Sequence, residues 1–451
     1  MMNSPGLDHL DIRDLMRTGT TDRVLHLIAR KHPADIAMLF KDLEPTEVVK
    51  LFDILYSTRR AVNTLKELPP ELLREVLALI EDAKIARVIG RADADDAVTF
   101  MDCLAAERKE RVLALVDPES RGDVRRLESY PRGSVGRLMT THCLTLPPDM
   151  SAQEAIETIR RQGALDDFFY LYIVDAAGKL LGVVPLRSLV IAPPDRRLVD
   201  VMTRDPVFAD VSMDQEAAAR LVSKYDLLAL PIVDRQGRFT GIITIDDVID
   251  VLDQENTQDI YRMAGLEEED RVFTPPMRSV KLRLPWMMFN MITYIPVSLV
   301  IGMFEGAIQK TVALAALMPI VAGMGGNGIT QTMTVVVRAI ALGELHFSSA
   351  RRALLKELYV NVSVAVVTGI LLGLGAFLWR GNPVLGLILA LANVINTGLV
   401  AGFFGALIPL TLKSLHLDPA LGSTIIATTF TDVCGFLSFL SLATVLLSFL
   451  A

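Results

Sequence analysis

Five long uncharged stretches towards the C-terminus constrain the fold of this chain more than any other feature. They are residues 284–304, 311–337, 358–379, 381–412 and 419–451, and the only charge inside them is Asp432. A membrane-spanning helix needs about 20 apolar residues, so each stretch is long enough to cross a bilayer. The second stretch has a glycine-rich interruption, and the fourth, with 32 residues, leaves open a division into two short segments. Treating the fourth as one span, we predict five membrane helices.

The basic residues predict the orientation of these spans. If residues 1–283 are cytoplasmic, the segments on that side hold eight Lys and Arg residues, against Lys310 and Arg380 outside. The eight are Arg278, Lys281, Arg283, Arg338, Arg351, Arg352, Lys356 and Lys413. This asymmetry follows the positive-inside rule, and a sixth span would remove it. Residues 1–11 contain no apolar signal-peptide core, so we expect no cleaved leader.

The charge composition divides the chain at the same place. Residues 1–283 carry a net charge of −10 and residues 284–451 a net charge of +2, which excludes a single soluble globule. A nucleic-acid-binding protein would carry a basic patch on its soluble part, so we expect no nucleic-acid partner. Three widely spaced cysteines give neither a disulfide framework nor a zinc-binding pattern.

Asp432 is the most informative residue of the membrane part. A carboxylate at mid-membrane costs ~2.5–3.5 kcal/mol, so it normally faces the interior of a bundle or a water-filled cavity. Helical spacing places Thr424 and Thr428 on the same face as Asp432. One interpretation is an acid that neighbouring hydroxyls satisfy and that holds helices together. The interpretation that we favour is an ion pathway.

The second stretch contains four glycines within six residues, between Gly323 and Gly328. In a membrane helix such glycines either allow close helix packing or break the helix where it lines a cavity. Neutral oxygen-bearing side chains accompany them in the second and fourth stretches. These are Asn327, Thr330, Gln331, Thr334, Asn393, Asn396 and Thr397. One acid among many neutral oxygen groups suits a hard cation better than a soft metal.

Residues 134–254 contain a tandem repeat of about 60 residues. Each unit reads as a β-hairpin, turning at Ala177-Gly178 or Gln236-Gly237, followed by a helix. The units resemble a pair of CBS domains, the second more closely through Leu230-Pro-Ile-Val-Asp and Gly237-x-x-x-Gly-Ile-Ile-Thr. The resemblance implies a regulatory, dimerising module of a kind that often binds adenine nucleotides such as ATP.

Residues 8–130 show helical periodicity and no strand signal. Helix-start signatures occur at His32-Pro33, Glu44-Pro45 and Pro69-Pro70, so we predict a compact α-superhelix. No catalytic constellation is present in this region. His26 and His32 lack a nearby nucleophile or metal partner, and we expect them to have surface or capping roles.

Acidic residues concentrate between the repeat and the membrane part. A predicted helix over residues 246–265 carries Asp246, Asp247, Asp250, Asp253, Glu255 and Asp259. These acids are either the solvated face of a helix and its linker or a sensor for divalent cations. In the second interpretation, six acids from elsewhere could face the helix. They are Asp93, Asp95, Asp96, Asp214, Glu216 and Asp226.

The order of these parts resembles the MgtE family of magnesium transporters or channels over essentially the whole chain. The most specific matches are residues 280–286, 323–331 and 335–344, and Thr429-Phe-Thr-Asp-Val-Cys-Gly435. The resemblance implies a multidomain fold with four parts. These are an all-α superhelical N domain (1–130), an α/β tandem CBS pair (134–254), an acidic connecting helix and linker (246–276) and a five-helix transmembrane pore domain (280–451).

The resemblance also implies a function. It predicts Mg²⁺ uptake across the cell inner membrane through a homodimeric, lipid-embedded pore that cytoplasmic Mg²⁺ closes, and no enzymatic activity. By motif, Asp432 binds hydrated Mg²⁺ in the pore, with Asn327, Thr424 and Thr428 as further ligands. The implied regulatory ligands are Asp93, Asp95, Glu216, Asp226, Asp246, Asp247, Asp250, Glu255 and Asp259. Two departures from the family pattern are the displaced glycine at Gly328 and Thr424, where some members carry Asn.

Three other classes of membrane protein compete with this interpretation. A CBS-containing efflux factor places its spans before the CBS pair, whereas here they follow it. An intramembrane aspartyl protease needs two carboxylates in its bundle, and the predicted spans hold one. A proton-coupled or broader divalent-cation (Mn²⁺, Co²⁺) secondary transporter stays open, because a lone membrane aspartate can relay protons.

Overall fold

A computed structural model describes residues 21–141, 143–162, 169–266, 270, 272, 274–345, 349–421 and 423–448. The chain forms two compact units, of which the first ends at Leu252 and the second begins at Asp253. The division falls inside one continuous helix, Ile245–Met263.

The first unit opens with a series of short helices. They are α1 (Thr21–Ile28), α2 (Pro33–Leu39), α3 (Pro45–Ser57), α4 (Ala61–Leu65), α5 (Pro70–Leu79), α6 (Asp82–Ile89), α7 (Ala94–Asp102), α8 (Ala106–Leu115) and α9 (Pro118–Glu128), with a 3₁₀ turn at Phe40–Asp42. Three of them begin at Pro33, Pro45 and Pro70, as predicted, because proline has no N–H to leave unpaired in a first helical turn. His32 caps α2, since its Nδ1 accepts a hydrogen bond from the Ala34 N–H at 3.3 Å.

The tandem repeat follows. Its elements are α10 (Val135–Leu138), β1 (Thr145–Leu146), α11 (Ala152–Gln162), β2 (Tyr170–Val174), β3 (Leu180–Pro185), α12 (Leu186–Ile191), α13 (Leu198–Val201), β4 (Thr203–Arg204), β5 (Ala209–Asp210), α14 (Gln215–Tyr225), β6 (Ala229–Val233), β7 (Phe239–Thr244) and α15 (Ile245–Met263). The strands form two sheets, ordered β1-β2-β3-β4 and β5-β6-β7. Both predicted hairpins are present, and each turns through a glycine with positive φ, Gly178 at 81° and Gly237 at 77°. Glycine reaches this conformation without steric cost.

The hydrophobic core of the first unit crosses the predicted boundary at residue 134. Phe52 and Phe100 of the N-terminal helices belong to the same buried cluster as Leu230 and Val248 of the second repeat. The first repeat has its own smaller core around Leu171. The N-terminal helices and the second repeat are therefore packed as one body.

The second unit contains the membrane helices. They are α16 (Pro276–Met303), the short α17 (Glu305–Lys310), α18 (Ala313–Ala341), α19 (Ala350–Arg380), α20 (Pro383–Asn393), a π-helical segment (Val394–Val400), α21 (Ala401–Ser414) and α22 (Ser423–Ser448). Among the residues that the structure describes, five helices are long and apolar enough to cross a membrane, and residues 383–414 count as one of them, as predicted. Of the two roles that the sequence leaves open for the glycines of the second span, a break in the helix is wrong, because α18 continues as a helix through all four.

Candidate ion pathway and acidic cavity

Asp432 lies in the first half of α22 with a half-buried carboxylate. Within the residues that the structure describes, no group donates a hydrogen bond to it. The neighbouring hydroxyls are used elsewhere, because Thr428 donates to the Thr424 carbonyl at 2.9 Å and Thr431 to the Thr428 carbonyl at 2.9 Å. An aspartate satisfied by adjacent hydroxyls, one of the two interpretations of the sequence, is therefore not what the structure shows.

The face of α22 that carries Asp432 is the one that helical spacing predicts. Thr424, Thr428 and Asp432 follow each other at intervals of four residues, and all three are half-buried. The buried residues Thr431 and Gly435 lie beside this face, whereas Phe430 and Leu437, on the opposite side of the helix, are exposed. The structure thus aligns three predicted pore residues along one partly open face.

The packing of α18 separates its residues into two faces. Gly325, Gly328, Ile329 and Thr332 are buried, and a Cβ atom on Gly328 would lie 3.0 Å from Cγ2 of Thr397. The exposed face carries polar side chains instead. They are Asn327, Thr330, Gln331 and Thr334. Hydrocarbon offers no partners to such groups, so this face is expected to meet water or protein.

Asn327 lines a cavity of about 420 Å³ formed by α18, α19 and the π-helical segment. Gln331, Glu357 and Asn361 line it as well, whereas Asp432 does not. Glu357, which the sequence pattern did not single out, is 5% exposed, and its carboxylate accepts a hydrogen bond from Lys356 Nζ at 2.5 Å. It stands one residue before the predicted third span, because α19 begins earlier than the uncharged stretch does. The bundle thus holds a second carboxylate in addition to Asp432, so the number of acids no longer excludes an aspartyl protease. The two carboxylates do not line the same cavity, however, and this separation argues against such an enzyme.

A second cavity, of about 670 Å³, lies within the first unit and is lined by acids. Six aspartates come from the start of α7 and the start of α15, which are about 150 residues apart in sequence, and Glu67 lines the cavity as well. The aspartates are Asp93, Asp95, Asp96, Asp246, Asp247 and Asp250. The structure thus brings together five residues that the resemblance assigned to a regulatory site. It places beside them Asp96, which the sequence also named among the acids that could face the connecting helix.

The electrostatics of this acidic cavity reflect burial and mutual repulsion. Burial raises the pKa of Asp96 to about 6 and the pKa of Asp247 to about 6. Burial, together with the charge of Asp247, also raises the pKa of Asp95 well above its usual range. Burial alone would lower the pKa of Lys66, but the carboxylates of Asp96 and Asp246 raise it. The cavity is therefore a strongly negative environment with a lysine at its wall.

Two hydroxyl groups of the repeat donate hydrogen bonds to these acids. Thr244 Oγ1 donates to Asp247 at 2.7 Å and Thr140 Oγ1 to Asp95 at 3.3 Å. Carboxylate oxygens are the donors that Mg²⁺ prefers, usually with several waters retained. In the described ranges, however, no three His, Cys, Asp or Glu side chains are arranged to hold a metal ion. The acids suit hydrated cations in chemistry, but they do not form a closed coordination sphere.

The other predicted regulatory acids lie elsewhere. Glu216 forms an ion pair with Arg220 at 3.0 Å, and Asp226 follows the last residue of α14 in the left-handed conformation. Glu255 and Asp259 belong to the second unit. Burial raises the pKa of Asp259, with further contributions from the charges of Asp418 and Glu255. The single acidic set predicted from sequence is therefore divided between the acidic cavity, the two ends of α14 and the C-terminal half of α15.

Family comparisons cover nearly the whole chain. The "Divalent cation transporter" model of MgtE matches residues 318–442, the "MgtE intracellular N domain" model residues 31–133, and the CBS domain model residues 135–195 and 198–254. "Magnesium transporter MgtE" of Thermus thermophilus is 31% identical over 97% of this chain and 98% of its own length. The Bacillus subtilis protein of the same name is 28% identical over 95% of each chain.

A solved structure matches the soluble part. The crystal structure of the cytosolic domain of the Mg²⁺ channel MgtE in complex with ATP is 29% identical to this chain. It covers 54% of this chain and 99% of its own, with a TM-score of 0.51. The similarity places the N-terminal helices and the tandem repeat in a known cytosolic fold.

The fold and the two sites together define a multi-pass membrane transport protein with a soluble N-terminal part that contains a CBS pair. The chain belongs to the MgtE family of magnesium transporters. The family is a class of transporters and not of enzymes.

Proposed function

We propose that this protein mediates Mg²⁺ uptake across the cell inner membrane through a homodimeric pore that cytoplasmic Mg²⁺ closes. The observation that carries the proposal is Asp432, a carboxylate in a membrane helix to which no described group donates a hydrogen bond. Such a group is costly unless it meets water or a cation. Family membership supports Mg²⁺ as the substrate, and Thr424, Thr428 and Asn327 are the further pore ligands that we propose.

The chemistry of Mg²⁺ fits a single carboxylate per chain. Mg²⁺ gives up its waters reluctantly and is usually bound through one or two carboxylates with several waters retained. In a two-fold symmetric dimer, a residue that lies next to the axis faces its own copy across it. Two Asp432 side chains at one pore axis would therefore hold a hydrated ion without stripping it.

The exposed polar face of α18 supports a dimer. Asn327 and Gln331 line the cavity beside α19 but remain exposed, so a single chain in a membrane would leave part of their amides in lipid. A second copy and a water-filled pore would supply the missing partners. The domain boundaries that we propose follow the predicted ones, with the pore domain at 280–451.

The acidic cavity supports closure by cytoplasmic Mg²⁺. Moving a gate from 99% open to 99% closed needs ~5.5 kcal/mol of differential binding, which a cluster of sites supplies more readily than one weak site. Without cations, the carboxylates of Asp93, Asp95, Asp96, Asp246 and Asp247 repel each other. Bound Mg²⁺ would remove that repulsion and tighten the first unit.

We further propose that the CBS pair binds an adenine nucleotide. The similar cytosolic domain solved in complex with ATP supports this assignment. Equilibrium dialysis of the purified protein against labelled ATP, with GTP as competitor, tests it. Saturable binding that ATP displaces and GTP does not is the expected result, and absence of saturable ATP binding would contradict it.

Flux into proteoliposomes tests the transport function. We expect an inside-negative potential to drive Mg²⁺ entry into vesicles without a proton gradient, and Asp432→Asn and Asp432→Ala to abolish it. Glu305→Gln, in the short helix α17, removes a different carboxylate of the same unit and is expected to leave the flux intact. Competition with Mn²⁺ and Co²⁺ reports selectivity. A strict requirement for a proton gradient, or full flux through Asp432→Asn, would overturn the proposal.

A further inference from the structure

Asn396 is the one residue of the π-helical segment that is both fully buried and incompletely paired among the described residues. Its side chain is 0% exposed. Its Nδ2 donates to the Val321 carbonyl of α18 at 3.0 Å. In the described part of the chain, its Oδ1 has no hydrogen-bond partner. A buried carbonyl without a partner is destabilising, so packing stability alone does not account for an amide at this position.

Two glycines on different helices make room for this amide. A Cβ atom on Gly325 of α18 would lie 2.2 Å from Nδ2 of Asn396. A Cβ atom on Gly435 of α22 would lie 2.4 Å from the same nitrogen. Both distances are far shorter than van der Waals contact, so each glycine is required by the amide that faces it. Asn396 therefore fills a space that α18 and α22 leave between them.

The position of Gly435 connects this contact to the ion site. It lies three residues after Asp432, which is slightly less than one helical turn. A change in the distance or rotation of α22 at Gly435 would therefore move the carboxylate of Asp432. The other glycine that Asn396 contacts, Gly325, lies two residues before Asn327. A change at this contact would therefore also move the polar face of α18.

A second buried amide in the same span provides a contrast. Asn393 is 1% exposed, and its Nδ2 donates at 2.9 Å to both the Ala365 carbonyl and Thr368 Oγ1 of α19. Its Oδ1 accepts from Thr397 at 3.0 Å. Asn393 is thus fully paired and directed to α19. Single turns of π-helix are frequent at functional sites, and here one begins directly after Asn393 and contains Asn396.

We propose that Asn396 is a positioning residue for Asp432. Its amide packs between Gly325 and Gly435 and thereby sets the separation and rotation of α18 and α22. The proposal rests on the proposed function of Asp432 as the ion site. It assigns to the fourth membrane span the task of holding the two helices that carry the predicted pore residues.

Compensating substitutions test the wedge. Gly435→Ala introduces a methyl group that overlaps the amide of Asn396, and Asn396→Ala removes that amide and leaves a cavity between α18 and α22. We expect each variant to lower Mg²⁺ flux in proteoliposomes and to raise the Mg²⁺ concentration at half-maximal flux. In the double variant the methyl group occupies part of the vacated space, so we expect flux about fivefold above either single variant, within the range of coupling between contacting residues. Asn396→Ser with Gly435→Ala is the second pair, for the case in which Asn396→Ala does not fold.

Asn393→Ala is the matched control, because it removes an equally buried amide from the same span without touching α18 or α22. We expect it to lower the melting temperature in detergent and to leave the half-maximal Mg²⁺ concentration unchanged. The proposal fails if Asn396→Ala behaves like Asn393→Ala in both measurements. It also fails if neither double variant exceeds Gly435→Ala. Asp432→Asn, measured in parallel, distinguishes the proposed ion site from the proposed role of Asn396. Flux that survives Asp432→Asn overturns the ion site, whereas the flux of the double variants relative to Gly435→Ala decides the role of Asn396.

Discussion

Arg262 and Asp418 form an ion pair that joins the end of α15 to the segment before the last membrane helix. Both side chains are partly buried, and Oδ1 of Asp418 also accepts from the Ala420 N–H at 2.8 Å. The same continuous helix begins with Asp246 and Asp247, which line the acidic cavity. One continuous helix therefore carries acids of the cavity at its start and Arg262 of this ion pair near its end.

Charge reversal at this pair tests whether it transmits closure. We expect Arg262→Glu and Asp418→Arg each to raise the cytoplasmic Mg²⁺ concentration that half-closes the pore by about two- to fivefold, the scale of a partly exposed ion pair. Flux of reconstituted protein against Mg²⁺ on the cytoplasmic side is the measurement. The double reversal restores the attraction, so it should return the closing concentration towards that of the wild type.

Arg238→Glu is the control for this experiment, because Arg238 pairs with Asp234 in the turn between β6 and β7. It changes the net charge by the same amount away from α15. If Arg238→Glu shifts closure as much as Arg262→Glu does, general electrostatics and not the ion pair is responsible. The same conclusion follows if the double variant needs as much Mg²⁺ for half-closure as Arg262→Glu and Asp418→Arg do singly.

Neutral variants of the acidic cavity should weaken Mg²⁺-dependent tightening of the first unit. Asp95→Asn or Asp247→Asn removes one carboxylate from the cluster. The cavity then attracts Mg²⁺ less strongly, so a higher Mg²⁺ concentration is needed to occupy it. We expect the Mg²⁺ concentration for half-maximal protease protection to rise by about tenfold, which is 1.4 kcal/mol of binding energy. Glu110→Gln, an exposed acid of α8, should leave the midpoint in place. Equal protease protection of the wild type at zero and millimolar Mg²⁺ would contradict the proposal that Mg²⁺ tightens the first unit.

Lys66 lies at the wall of the same cavity and should act in the opposite direction. Its positive charge attenuates the field of Asp96 and Asp246, so it competes with bound cations for these carboxylates. We expect Lys66→Gln to lower the Mg²⁺ concentration for half-maximal protection by about threefold, the effect of one partly solvated charge. Lys50→Gln, on the exposed side of α3, serves as the matched control. A midpoint that rises in Lys66→Gln would contradict this role.

Local patterns in the sequence predicted the elements of the fold. Proline fixes φ and marks the starts at Pro33, Pro45 and Pro70, and glycines mark the turns at Gly178 and Gly237. The five spans follow from uninterrupted apolar length, which is a property of the chain alone. These features depend on neighbours in sequence, so a single sequence contains the information.

Contacts between distant parts of the chain were beyond such patterns. Whether Gly325 breaks α18 or packs depends on Asn396, which lies 71 residues further along. Likewise, Asp95 and Asp247 meet only because α7 and α15 begin at one cavity, whereas Glu216 points to Arg220. Acidic composition predicted the presence of a charged site, but tertiary packing decides which acids belong to it.

Arg108 of α8 should contribute strongly to the stability of the N-terminal helices. Its Nη1 donates to the Leu77 carbonyl at 2.6 Å, its Nη2 to the Ile80 carbonyl, and its Nε to Asp82 at 2.6 Å. The two carbonyls end α5, where a helix leaves acceptors unpaired. We expect Arg108→Ala to cost about 2–3 kcal/mol, because hydrogen bonds to a charged group are the strong ones. Hydrogen exchange of the amides in α5 and α6 measures it.

Arg111→Ala is the control for Arg108→Ala, since Arg111 contacts the same Asp82 at 3.2 Å but is 66% exposed. We expect it to cost no more than about 0.5 kcal/mol. The hydrogen bond from Arg108, with a smaller one from Arg111, lowers the pKa of Asp82 below its usual value. The carboxylate therefore stabilises the folded state above its unfolded pKa of about 3.9 and loses this effect as the pH falls through the lower, folded value. The difference between wild type and Arg108→Ala should accordingly shrink below about pH 4, but not vanish, because the bonds to Leu77 and Ile80 do not titrate. A difference that grows on acidification would contradict the assigned pair.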